Sequence, residues 1–146
     1  LSEGRGTTLP FEITGAPFVD GFMVADRMND QGFPGVRFRP HYFQPTAGKW
    51  AGMRCGGVQA HITNALIYRP LETWIGVIRT IRALYPDQFA WLPSHKGVYH
   101  FDRLIGSDHP RVQIEAGESV ADMSTMWREF VSAFEVERRP YLLYGE

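Results

Sequence analysis

Hydrophobic and polar positions along this chain fall into segments with distinct periods. Gly35-Val36-Arg37-Phe38-Arg39-Pro40 alternates with period two, which puts Val36 and Phe38 on one face of a strand and Arg37 and Arg39 on the other. Gly57 to Thr63 alternates the same way, with Val58, Ala60 and Ile62 facing one side and Gln59 and His61 the opposite one. Other segments carry helical spacing. Asp20 is positioned to cap a helix through Met23, Val24 and Met28 that Gly32 and Pro34 stop. Pro70 opens a second helix as a first-turn proline, with Glu72 at its positive end and Leu71, Trp74, Ile78, Ile81 and Tyr85 recurring on one side until Pro86. Ser119 and Asp122 resemble a capping box ahead of a last long helix, whose buried stripe reads as Val120, Met123, Trp127, Phe130, Val131 and Phe134.

The connecting segments are less regular. Leu9-Pro10-Phe11 and Ala16-Pro17-Phe18 punctuate an apolar approach to the first helix, and Gln44 to Gly57 has no period and reads as a long loop, a feature often tied to function. A short helix is expected from His100 to Ile105, a helical turn from Pro110 to Gly117, and an extended end at Tyr141 to Tyr144. Few strands interspersed with helices predict an α+β domain, a small mixed sheet covered by helices on one face with the other face polar. Arg37, Arg39, Gln59 and His61 crowd that second face, which either lines a cleft or packs against another part of the protein.

Composition narrows the class. The 146 residues are 44% hydrophobic and 14% aromatic, as in an ordered globular protein, and the length suits one domain spanning 1–146. Fifteen basic against 16 acidic residues leave a net charge of -1, so no global field draws the chain to nucleic acid or an anionic membrane. No apolar run approaches the roughly 20 residues of a membrane span, so no membrane insertion is expected. Leu1 stands where an initiator Met is expected, which suggests a piece of a longer protein.

Candidate chemistry is sparse. Gly4 and Gly6 flank Arg5, so the backbone around Glu3 and Arg5 is free to adopt positive φ, as binding loops and surface turns both do. Cys55 and His61 invite a thiolate and imidazole pair, but six residues of extended chain separate them by roughly 20 Å. Cys55 fits a buried structural thiol instead. His41, His61, His95, His100 and His109 lack the spacing of a metal site, so neither a metal nor a cofactor is expected. Gly4-Arg5-Gly6-Thr7-Thr8 lacks the preceding strand and following Lys of a phosphate-binding loop. Glu3 and Glu12 are carboxylates whose separation would decide a glycosidase role, and Glu12 reads as satisfied locally near a turn. Trp50 and Trp91, in irregular segments, either stack on a sugar or cover the core.

The order of these pieces is also diagnostic. Ser2-Glu3-Gly4-Arg5-Gly6-Thr7, Pro10-Phe11-Glu12 and Gly15-Ala16-Pro17 precede Gly35-Val36-Arg37-Phe38-Arg39-Pro40, with Lys49, Gly52, Cys55, Gly57-Val58, His61 and Thr63 after it. Arg69-Pro70, Leu84-Tyr85-Pro86, Phe101-Asp102 and Tyr141-Leu142-Leu143-Tyr144 complete the series. Across essentially its whole length the chain resembles the C-terminal domain of the NamZ-like exo-β-N-acetylmuramidases. The resemblance implies a bacterial two-domain glycosidase, secreted or in the cell envelope, that removes N-acetylmuramic acid from the non-reducing ends of peptidoglycan fragments. A Rossmann-like N-terminal domain would carry the catalytic carboxylate, and this auxiliary domain one wall of the cleft. No catalytic residue is therefore assigned here, and the chain alone is expected to be inactive. The implied substrate-binding residues are Glu3, Arg5, Gly6 and Thr7, with Lys49 and His61; Arg5 suits a two-pronged grip on the lactyl carboxylate. A non-catalytic module that packs on its neighbour or holds peptidoglycan without cutting it is the alternative.

Overall fold

The structure, a computed structural model, describes residues 1–94 and 97–144 and divides into two compact units, Leu1–Ala90 and Trp91–Glu146. Of the histidines weighed as ligands, His95 lies outside the described residues.

The first unit holds strands β1 (Ile13–Ala16), β2 (Val36–Phe43) and β3 (Cys55–Ile62) with helices α1 (Gly21–Asp30) and α2 (Pro70–Leu84). The sheet order is β1-β3-β2 and both pairings are antiparallel, so the architecture is α+β but the sheet is not mixed. The loop from β2 to β3 reverses the chain between neighbours, whereas the connection through α1 crosses from β1 to β2 and leaves the place between them for β3, so the two outer strands run the same way but never pair. β1 is a strand that alternation does not reveal, because all four of its residues are buried and it has no polar face. β2 runs on through Pro40 to Phe43; it is an edge strand, where a residue without an N–H is tolerated. The outer edge at Phe38 is capped by Asn29, whose Nδ2 donates to the Phe38 carbonyl (2.8 Å) and whose Oδ1 accepts from its N–H (3.0 Å).

Asp20 starts α1 as expected, accepting from the Phe22 and Met23 amides. Val24, Ala25 and Met28 of α1 then pack with Ala16, Val36, Phe38 and Val58 of the sheet and with Val77 and Ile81 of α2 in one apolar core. The buried side of α2 is Thr73, Ile75, Gly76, Val77 and Ile81, rotated from the stripe that spacing suggested: Leu71 is exposed and Trp74 and Ile78 only half-buried. Gly76 decides the rotation, because the Phe33 ring lies where a side chain at that position would project.

The opposite sheet face is polar at one end only. Register places Arg37 beside His61 and Arg39 beside Gln59, but towards the other end Ile13, Phe43 and Cys55 form a second apolar cluster under Leu9 and Trp50. The correction to a wholly polar face has a clear cause, since Phe43 and Cys55 lie beyond the stretches whose alternation is legible.

The second unit contains α3 (His100–Ile105), α4 (His109–Ala116), α5 (Val120–Arg138) and a 3-10 turn at Arg139–Tyr141, so the expected extended end begins with a helical turn instead. Arg111 of α4 donates from Nε to both carboxylate oxygens of the buried Asp102 on α3, at 2.9 and 3.0 Å, and lies 4.5 Å from the Tyr99 ring centroid. Ser119 caps α5 through the Asp122 amide. Its expected buried stripe holds at Val120 and Met123, weakens at the half-buried Trp127, and is absent at Phe130 (72% exposed), Val131 and Phe134. No helix among the described residues is long and apolar enough to cross a membrane.

Candidate functional site

The segment before β1 is a built turn. Gly4 and Gly6 both take positive φ, 81° and 78°. Thr7 ties the turn together: its N–H and its hydroxyl both donate to the Gly4 carbonyl (3.1 and 2.6 Å), and the same hydroxyl accepts from the Leu9 N–H at 3.1 Å. Ser2 pairs with Gly15 and so anchors the turn to β1, and the Phe11 N–H closes it on the Glu3 carbonyl at 2.8 Å. Glu3 Oε1 sits 3.0 Å from Arg5 Nε in an exposed ion pair. Such a pair adds about 1 kcal/mol or less to stability.

The long loop between β2 and β3 clasps this turn. Both the N–H and the hydroxyl of Thr46 donate to the Gly6 carbonyl at 2.9 Å, and a Cβ on Gly6 would lie 2.5 Å from the Ala47 nitrogen. Arg5 runs alongside Gly48, next to Lys49. Lys49 Nζ lies 5.4 Å from the Trp50 ring centroid. Trp50 itself packs against both apolar clusters of the unit, so its plane covers the core. Trp91, in the second unit, packs its ring 4.9 Å from that of Phe101. Between the turn and β2 opens a pocket of about 570 Å³ lined by Gly6, Thr7, Thr8, His41, Gln44 and Thr46, with Leu9, Ile13 and Phe43 as its apolar floor.

The polar end of the sheet face carries a hydrogen-bonded chain that spacing alone does not disclose. Glu12 Oε2 accepts from Gln59 Nε2 at 3.2 Å; Gln59 Oε1 accepts from Arg39 Nε (3.0 Å) and Nη2 (2.6 Å); and Arg39 Nε also donates to His61 Nε2 at 2.9 Å. Glu12 is thus bound across 47 residues and not locally. His41, one strand repeat beyond Arg39, stacks on Phe43, and burial, reinforced by the charges of Arg39 and His61, pushes its pKa below 6.5. Of the six residues singled out from the sequence, Glu3, Arg5, Gly6 and Thr7 share the turn, Lys49 sits on the loop that clasps it, and His61 belongs to the Arg39 chain. The signal for that chain was present in the alternation of Arg37, Arg39, Gln59 and His61; what the sequence lacked was the register that pairs Arg39 with Gln59.

Cys55 and His61 lie six residues apart on one continuous strand, so they cannot form a dyad. The Cys55 thiol is fully buried, which raises its pKa. Among the described residues, no group of three or more His, Cys, Asp or Glu is arranged to hold a metal ion.

The family model described as "Exo-beta-N-acetylmuramidase NamZ, C-terminal" matches residues 1–144. The chain belongs to this family. It is accordingly a domain related to a glycoside hydrolase. It is 38% identical over 144 residues to the peptidoglycan beta-N-acetylmuramidase NamZ of Bacillus subtilis (strain 168), a match that covers 99% of this chain and 34% of that protein. A crystal structure of a DUF1343 family protein from Bacteroides fragilis NCTC 9343 superposes with a TM-score of 0.86 at 29% identity, covering 99% of this chain and 38% of the other. The chain thus spans a little over a third of the length of these relatives.

Proposed function

We propose that this NamZ-family domain forms one wall of a cleft that binds N-acetylmuramic acid at the non-reducing end of peptidoglycan fragments. The catalytic carboxylate would be supplied by a separate N-terminal domain of the kind the longer relatives have room for. The observation that carries the proposal is the open pocket between the glycine turn and β2, whose rim combines backbone, hydroxyl, amide and imidazole groups over an apolar floor, the mixture a sugar ring requires. In this reading Gly6 and Thr7 line the pocket while Glu3, Arg5, Lys49 and His61 supply charge and hydrogen bonds around it.

The test is a titration of the isotope-labelled chain with N-acetylmuramic acid, followed by amide chemical shifts. Perturbations concentrated at Gly6, Thr7, Thr8, Gln44 and Thr46 are expected. Their absence there, or their concentration in residues 97–144, would defeat the proposal. A second reading, a non-catalytic module that docks on a neighbour, draws support from the exposed apolar side chains Phe130, Val131 and Phe134 on α5. It expects substitutions on α5, and not around the pocket, to alter the behaviour of the longer protein.

A further inference from the structure

Two arginines stand near the candidate pocket in opposite electrostatic states. Arg5 already faces a carboxylate, Glu3, at 3.0 Å. Arg39 has no carboxylate partner: Gln59 Oε1 accepts from Nε and Nη2, and His61 Nε2 accepts from Nε. Glu12 touches Gln59 and not Arg39. Gln59 is buried, and its amide orientation is set at both ends, Oε1 towards Arg39 and Nε2 towards Glu12. The side edge of the guanidinium, Nε with Nη2, is therefore occupied and immobilised, whereas Arg39 itself is exposed and its end edge, Nη1 with Nη2, has hydrogens left to donate. That end edge is the fork that matches the two oxygens of a carboxylate. His41 follows on the same strand face, roughly 7 Å along, and lines the pocket.

We propose that Arg39 is the residue of this domain that recognises a carboxylate on the bound saccharide, such as the lactyl arm of N-acetylmuramic acid, with Gln59 and His61 as positioning residues. The proposal rests on the saccharide reading of the pocket. Pre-set orientation is what gives it weight, because a guanidinium already held in place loses little side-chain freedom on binding. Arg5 would have to surrender Glu3 first.

The experiment compares binding of N-acetylmuramic acid, its methyl ester and N-acetylglucosamine to the chain, read by calorimetry and by the Arg39 Nε and His61 ring nitrogen signals. The wild-type chain is expected to bind the acid about tenfold more tightly than the ester. Arg39→Gln should abolish that preference by weakening the acid far more than the ester, Arg39→Lys should restore part of it, and Arg5→Gln should weaken acid and ester by a similar factor. His61→Phe should weaken the acid more than the ester and so shrink the preference, a split that a purely structural role would not produce. A preference that survives Arg39→Gln overturns the proposal, as does equal binding of acid and ester by the wild-type chain. In that second case, shifts around the pocket with both sugars would keep the saccharide reading alive. Conversely, D-lactate moving the Arg39 Nε signal while N-acetylglucosamine moves nothing supports the Arg39 assignment and removes the sugar from it.

Discussion

At the scale of single residues, His41 reports on the charge around the pocket. Its ring lies against Phe43, and Arg39 and His61 occupy the same sheet face, with burial the largest of the three influences that keep the imidazole neutral. A histidine whose folded pKa is depressed contributes stability that is present above its unfolded value near 6.5 and is lost as the pH falls through the window below it, because the unfolded chain then binds the proton more readily. A ring-proton titration by NMR is therefore expected to give His41 a midpoint below 6.5. Arg39→Gln should raise that midpoint only part of the way, since desolvation remains. A wild-type midpoint at or above 6.5 would contradict the geometry described for this face.

At the scale of elements, the close approach of β1 to β3 is the feature on which the site depends, because β1 carries the glycine turn. A methyl group built on Gly57 overlaps the Thr14 carbonyl oxygen, and one on Gly15 overlaps the Gly56 carbonyl, so the two strands meet where neither has a side chain. Gly57→Ala is expected to cost about 3 kcal/mol, at the upper end for overpacking, since backbone and not a flexible side chain must yield. A melting temperature within a degree of the wild-type value would show that the sheet absorbs the methyl. This arrangement also marks the limit of what the sequence makes legible. α1, with its Asp20 cap, and the start of α5, with its Ser119 cap, are readable because capping signals act over three or four residues. β1 is hidden because four buried residues have no alternation, and the buried face of α2 departs from its spacing because Gly76 packs under a ring 43 positions away in sequence. The glycine turn was legible as a turn from Gly4 and Gly6. Its clasp by Thr46, and the Glu12-Gln59-Arg39-His61 chain, are long-range hydrogen bonds that only strand register reveals.

At the scale of the whole molecule, every residue assigned to the candidate site lies in Leu1–Ala90, and so does every member of the two apolar clusters beneath it, from Leu1 to Phe89. The core of this unit is drawn from all three strands and both of its helices, and its edge strand is capped by its own Asn29. Ninety residues with an apolar cluster on each side of the sheet exceed the size at which small domains usually need disulfides or metals to fold. A chain ending at Ala90 is thus expected to unfold in a single cooperative transition and to keep the His41 titration midpoint of the longer chain. The measurement is thermal unfolding followed by near-ultraviolet circular dichroism, which senses the fixed packing of Trp50, Trp74 and Tyr85. A truncated chain that lacks a near-ultraviolet signal, or melts without cooperativity, would show that the sequence after Ala90 supplies something the site's own unit requires, and would move the determinants of the pocket beyond the residues that line it.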